Sequence, residues 1–117
     1  MGYRLSKLYT RTGDDGDTGL ADGRRIGKDH PRIEAMGSVD ELNSQLGMLI
    51  ADLQEPALQE MAEVLAPVQH RLFDMGGELA IPGYEIIAAE DVTDLEQLID
   101  HFNASLEPLK NFILPGG

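Results

Sequence analysis

Three stretches of this chain repeat apolar residues at alternating intervals of three and four. The first stripe is Val39, Leu42, Leu46, Leu49 and Leu53. The second is Leu58, Met61, Leu65, Val68, Leu72, Met75 and Leu79, and the third is Val92, Leu95, Ile99, Phe102 and Leu106. Such a period places every member on one face of an α-helix and excludes the two-residue repeat of a strand. Helices of this kind gain stability by burying their stripes against one another. The fold class is therefore all-α, an antiparallel helical bundle whose seams favour crossing angles of about +20°.

Local signals set the expected limits. Helix one runs from about Pro31 to Leu53, because His30-Pro31 places proline where the first turn tolerates it. Helix two runs from about Pro56 to Ala80. Pro67 falls inside it with the stripe still in phase, which predicts a kink and no break. Helix three runs from about Asp91 to Leu106, with Thr93-x-x-Glu96 available as a capping box that would trim its start. Ser38-x-x-Glu41 could cap a new helix after Gly37 in the same way. Residues 54–55 are too few for anything but an antiparallel turn, and residues 81–90 form a looser link with Pro82 and Gly83.

With 117 residues the chain is read as a single domain: a Gly-rich segment over 1–30, read as loop, followed by the helical portion over 31–117. The apolar strip Phe112-Ile113-Leu114 before Pro115-Gly116-Gly117 usually hands a chain to a further element. The expectation is that C-terminal helices complete the bundle beyond it.

Composition removes several function classes. A net charge of −12 argues against nucleic acid as a partner. No cysteine is present for a disulfide or a thiolate metal site. No apolar run approaches the ~20 residues of a membrane span, and no signal peptide is legible, so a cytoplasmic location is expected. Asn103-Ala104-Ser105 matches a glycosylation sequon and is read as chance. The charge is unevenly spread. Residues 1–32 hold seven basic and five acidic residues, a net of +2, and residues 33–117 carry −14. A solvated basic tail or an anion-binding segment would both produce that contrast.

The segment from Tyr9 to Leu20 holds Gly13, Gly16 and Gly19, Thr10, Thr12 and Thr18, and Arg11. Glycines let backbone N–H groups wrap a polyphosphate, hydroxyls add hydrogen bonds, and arginine adds a charge-assisted one. Lys28 could reach the same anion from the far side of the loop. The acids Asp14, Asp15 and Asp17 fit such a site only with a divalent cation between them and the phosphates. The same residues also make ordinary turns. Two other patterns fail. Gly23 to Asp29 is one residue short of a Walker loop and ends in aspartate. An EF-hand begun at Asp15 would place Gly19 and Ile26 where acids are needed.

A second constellation spans Gly37 to Gly47. Asp40, Asn43 and Gly47 run one position behind the first stripe, at its edge, where polar groups are partly buried or simply form a solvated face. His30, His70 and His101 lie on different elements without ligand spacing, so no protein metal site is expected. No nucleophile or general base is placed for chemistry. Any reaction must then rest on binding, orientation, or a reactant that brings its own reactivity.

Five motifs in order carry a family resemblance: Tyr9 to Gly16, Lys28, Gly37 to Asn43, Leu72 to Ala80, and Phe112 to Gly117. Together they resemble the ATP:corrinoid adenosyltransferases of the propanediol-utilisation type. The resemblance implies a five-helix, ferritin-like bundle assembled as a homotrimer. It implies ATP with Mg2+ and cobalamin as substrates, and a reductase that supplies electrons. Thr10, Arg11, Thr12 and Gly13, with Thr18 and Gly19, match the part that wraps the triphosphate, and Lys28 matches a phosphate-contacting lysine. Asp40 matches an aspartate paired with an arginine on a C-terminal helix. Phe112 matches an aromatic ring beneath the corrin, and Asp40, Asn43 and Phe112 fall on the cobalamin side. No residue is implied to do direct chemistry; Phe112 and Asp40 support it, because the cobalt is the nucleophile at the ribose 5′-carbon. A non-catalytic helical interaction module and a polyphosphate-binding fragment are the two alternative readings.

Overall fold

Proline at the start of a helix needs its preceding residue extended and its first amides capped. His30 meets both requirements, with φ −64° and ψ 139° and its Nδ1 accepting the Arg32 N–H at 3.0 Å. The computed structural model describes residues 5–116. Helix α1 covers Pro31–Asp52 and ends with the Leu53 N–H bonded back to the Leu49 and Ile50 carbonyls. It passes through Gly37 without interruption, so the Ser38-x-x-Glu41 box is not used. Once the preceding turn is capped at His30, the Ser38 amide already has an intrahelical acceptor. A 3-10 turn at Pro56–Leu58 leads into α2, Gln59–Ala80, which is continuous through Pro67.

Within the unit Met1–Ile87, α1 and α2 lie antiparallel. The Arg32 guanidinium, in the first turn of α1, donates to the Leu79 carbonyl at 2.9 Å, near the end of α2. That contact places a cation on unsatisfied carbonyls at the negative end of the helix dipole. Mid-helix, Asn43 Nδ2 donates to the Gln69 carbonyl at 3.2 Å and Gln69 Nε2 donates to the Asn43 carbonyl at 3.1 Å. Each carbonyl uses its second lone pair, so this reciprocal clasp leaves both helical ladders intact. Gly47 sits beneath it, where an added Cβ would stand 3.1 Å from Gln69 Nε2.

The clasp turns α1 away from the orientation its stripe predicts. Ile33, Met36, Val39, Asn43, Leu46, Ile50 and Leu53 form the half-buried face. Leu42 and Leu49, two members of the stripe, are 52% and 42% exposed. Helix α1 is therefore apolar on two sides, and only one of them packs on α2.

The N-terminal segment is not all loop. Strands β1, Asp17–Gly19, and β2, Arg25–Gly27, pair antiparallel with Thr18 opposite Ile26. Their connection turns at Gly23 (φ 86°) and is closed by Leu20 N–H to the Arg24 carbonyl at 2.7 Å. Leu20, 8% exposed, is the most deeply buried apolar side chain among the described residues. The Ala21 N–H donates to the Ala80 carbonyl at 3.0 Å, which ties the hairpin tip to the end of α2. The loop after α2 is held by the Glu78 carboxylate, which accepts the Ile86 and Ile87 N–H groups.

The second unit is Ala88–Gly117. Its helix α3 covers Ala89–Asn103, starting and ending earlier than the stripe predicts. Asp91 caps it by accepting the Ala88 N–H at 2.8 Å, while Thr93, already inside the helix, donates to the Ala89 carbonyl at 3.3 Å. The Thr93-x-x-Glu96 box is thus pre-empted by an acidic residue two positions upstream. After a turn at Asn103–Leu106 the chain has no regular secondary structure through Gly116.

Candidate nucleotide site

The hairpin folds the Gly-rich segment into a bracket around Gly13. A turn closes from the Gly16 N–H to the Gly13 carbonyl at 3.2 Å, with Gly16 at φ 91°. The Lys28 N–H then donates to the Gly16 carbonyl at 2.9 Å and brings the end of β2 beside that turn. The lysine side chain crosses directly over Gly13. An added Cβ there would lie 2.9 Å from the Asp17 carbonyl and 2.9 Å from Lys28 Nζ. Gly13 is required by this close approach. An exposed ammonium laid against a glycine turn has the chemistry of an anion site, a point charge beside backbone with no side chain at Gly13 between them.

The approach to the turn is strained. Arg11 has φ 61°, the left-handed region that costs a non-glycine residue about 1–2 kcal/mol. Its guanidinium lies 5.5 Å from the centre of the Tyr9 ring, with both side chains exposed. The hydroxyls of Thr10 and Thr12 meet at 2.9 Å, so the two threonines share one side of the strained residue. Thr18 and Gly19 lie on β1, opposite Ile26 and Arg25.

Arg25 joins these pieces. Its Nε and Nη2 donate to Asp17 Oδ1 at 3.1 and 2.5 Å, and Nη2 also reaches the Thr12 carbonyl at 2.8 Å. Gly19 is the direct partner of Arg25, so Asp17 is its diagonal neighbour on the same face of the ribbon. The hydrogen bond from Arg25 holds the Asp17 carboxyl below its ordinary value, helped by the positive charges of Arg25 and Lys28. The same bond raises the Arg25 guanidinium. Asp22 is also lowered, first by the Arg24 backbone N–H and then by its side chain, with which it forms an ion pair at 2.6 Å.

The structure thus gathers Thr10, Arg11, Thr12, Gly13, Thr18, Gly19 and Lys28 on one hairpin and its approach. Of the residues that the resemblance assigns to the corrinoid side, Asp40 and Asn43 lie on α1. Asn43 is committed to the clasp, and its Oδ1 is buried without a hydrogen-bond partner among the described residues. Asp40, at the edge of the stripe where both a partly buried and a solvated position are open, is exposed, because the rotation of α1 turns it outward, and it makes no ion pair among the described residues. Phe112 belongs to the second unit and is fully exposed, at 108%. Sequence reasoning counted Arg25 only as charge and overlooked the hairpin. The available signal was Asp22-Gly23, a common hairpin turn pair, flanked by Asp17 and Arg25. Among the described residues no three His, Asp or Glu side chains come together to hold a metal ion, and no helix is long and apolar enough to cross a membrane.

The chain is similar to known proteins over nearly all of its length. The chain is 52% identical over its whole length to a cobalamin adenosyltransferase of Cupriavidus metallidurans, of which it covers 62%. It is 47% identical over 95% of its length to a corrinoid adenosyltransferase of Bacillus subtilis, of which it covers 59%. It therefore spans about three fifths of the length of these relatives. A variant of the PduO-type ATP:corrinoid adenosyltransferase from Lactobacillus reuteri, complexed with cobalamin and ATP, superimposes with a TM-score of 0.85 at 34% identity. That match covers 95% of this chain and 62% of the other. The helical architecture is thus that of a solved bundle, and the model of one family, cobalamin adenosyltransferase, matches residues 8–117, from the glycine bracket to the last residue. This chain belongs to the cobalamin adenosyltransferase family.

Proposed function

We propose that the protein transfers the 5′-adenosyl group of ATP to the cobalt of its second substrate, reduced cobalamin. The observation that carries this reading is the position of the Lys28 ammonium against Gly13 in a chain of this family. The bracket over residues 10–28 binds the triphosphate, with Mg2+ between the phosphates and the nearby acids Asp14 and Asp15. The cobalt lone pair forms the bond to C5′, the C5′–O bond breaks, and triphosphate leaves with the electron pair. The protein then needs no nucleophile of its own; its part is to bind, orient and desolvate. The relative from Lactobacillus reuteri, which holds both ligands, supports the same pair of substrates.

Asp40 and Phe112 serve the corrinoid side in this proposal, each accessible to a further element or ligand. A homotrimer would cover the outward apolar side of α1 at Leu42 and Leu49. A separate reductase delivers the electron to cobalamin, and the cytoplasm is the compartment proposed. The test is anaerobic incubation of the full chain with ATP and chemically reduced cobalamin. The expected product is light-sensitive adenosylcobalamin with one triphosphate per turnover. ATP binding without any cobalt alkylation would favour a polyphosphate-binding module, and binding of neither would favour a helical interaction module.

A further inference from the structure

We propose that Arg25 is a positioning residue for the triphosphate: anchored on Asp17, its guanidinium holds the Thr12 carbonyl and keeps Asp17 away from the Lys28 ammonium. The proposal rests on the reading that residues 10–28 bind ATP. Three observations carry it. The first is connectivity. One nitrogen, Nη2, bonds both Asp17 Oδ1 and the Thr12 carbonyl, at 2.5 and 2.8 Å, so the fork links β1, β2 and the approach to the turn. The second is strain. Arg11 is held at φ 61°, and Thr12 is the next residue. A left-handed non-glycine conformation persists only where its surroundings over-determine it, and the Arg25 bond to Thr12 is the long-range restraint adjoining it.

The third observation is the placement of charge. The Asp17 carbonyl and Lys28 Nζ both stand 2.9 Å from the same point above Gly13. That carbonyl is backbone, but the carboxylate of the same residue feels the Lys28 charge; unbalanced, it would be drawn to Lys28 and would repel an incoming polyphosphate. Arg25 occupies that carboxylate with two hydrogen bonds and leaves the lysine to face outward. The two cations of β2 and its end therefore have separate tasks: Arg25 organises the bracket and Lys28 meets the anion. A lysine at position 25 would supply charge but not the paired Nε and Nη2 donation that fixes the Asp17 carboxylate while Nη2 also holds the Thr12 carbonyl.

The test is MgATP affinity by calorimetry in the full chain, with far-ultraviolet melting and amide exchange of residues 11–16 measured alongside. R25A should weaken ATP by about tenfold, the scale of a lost charge-assisted bond at an exposed site together with a freed carboxylate. D17A should weaken it by a smaller factor of about three, since the anchor is lost along with the competing charge. The R25A/D17A double variant should bind no worse than R25A, and R25K should stay weakened. Exchange at residues 11–16 should rise in R25A and fall again with saturating ATP, while the helical melt is unchanged. A D17A variant that binds as well as or better than wild type would show that Arg25 contacts phosphate directly, and would overturn the proposal. Full recovery in R25K, or a double variant whose losses simply add, would overturn it too. Wild-type protein that binds no ATP would overturn the underlying reading of the site as well, and is thereby distinguishable from failure of the Arg25 assignment alone.

Discussion

A methyl group added at Gly13 separates the bracket's geometry from its composition. In Gly13→Ala the new Cβ would meet three atoms: the Asp17 carbonyl at 2.9 Å, Lys28 Nζ at 2.9 Å and Lys28 Cε at 3.0 Å. These contacts do not give way equally. The lysine tip is flexible and moves aside at little cost. The Asp17 carbonyl belongs to β1, whose register is fixed by three residue pairs, so the backbone must shift by a few tenths of an ångström. Overpacking of this kind costs about 1–3 kcal/mol, and the lower end applies at a surface turn. The functional loss comes mainly from Lys28, displaced from the place where its ammonium would meet a phosphate. A charged hydrogen bond contributes about 1.5–3 kcal/mol in sheltered sites and under ~1 kcal/mol when exposed. Lys28 is exposed, so MgATP affinity should fall by up to about fivefold in calorimetry, with helical content unchanged by circular dichroism. Gly16→Ala is the control. Gly16 has φ 91° and open space around it, so alanine strains the turn without touching the lysine. It should loosen the hairpin and disturb ATP binding less. Wild-type ATP affinity in Gly13→Ala would refute the assignment of Lys28 and Gly13 to the anion site.

Three other outcomes follow from particular contacts. Asn43→Ala removes half of the α1–α2 clasp and should lower stability by about 1–2 kcal/mol, seen as an earlier thermal melt; an unchanged melt would mean the clasp contributes nothing. The Asp17 carboxyl should titrate below its ordinary 3.8, because Arg25 stabilises its charged form; the hairpin contact is fully present above 3.8 and lost as pH falls through the lower folded value, so a carboxyl resonance with its midpoint at or above 3.8 would contradict the pairing. Phe112→Ala should change stability by less than about 0.5 kcal/mol, since the ring is fully exposed, yet should suppress formation of four-coordinate cob(II)alamin in the presence of ATP; a full four-coordinate paramagnetic resonance signal in that variant would remove Phe112 from the corrinoid site.

What was legible in the sequence rests on interactions between near neighbours. The start of α1 at Pro31 follows from the ring geometry of one residue and the cap offered by the one before it. The extent of α2 through Pro67 follows from a stripe that stays in phase for six turns. The pairing of Lys28 with the glycine segment was legible because a short loop can return only a few residues away, and the ammonium does lie on Gly13. Strands of three residues are too short for any period to show, so β1 and β2 were read as loop, and the role of Arg25 went with them. The orientation of α1 was also beyond local reasoning. Its sequence offers two apolar sides, one through Leu42 and Leu49 and the other through Ile33, Met36 and Ile50, and helical periodicity permits both to face a neighbour. The choice is made by contacts across more than twenty residues of chain: Asn43 and Gln69 exchange hydrogen bonds, Gly47 leaves room for the amide, and Asp40 is carried outward as a consequence. Periodicity specifies that a helix has a face to bury, but the partner's polar groups decide which face it is.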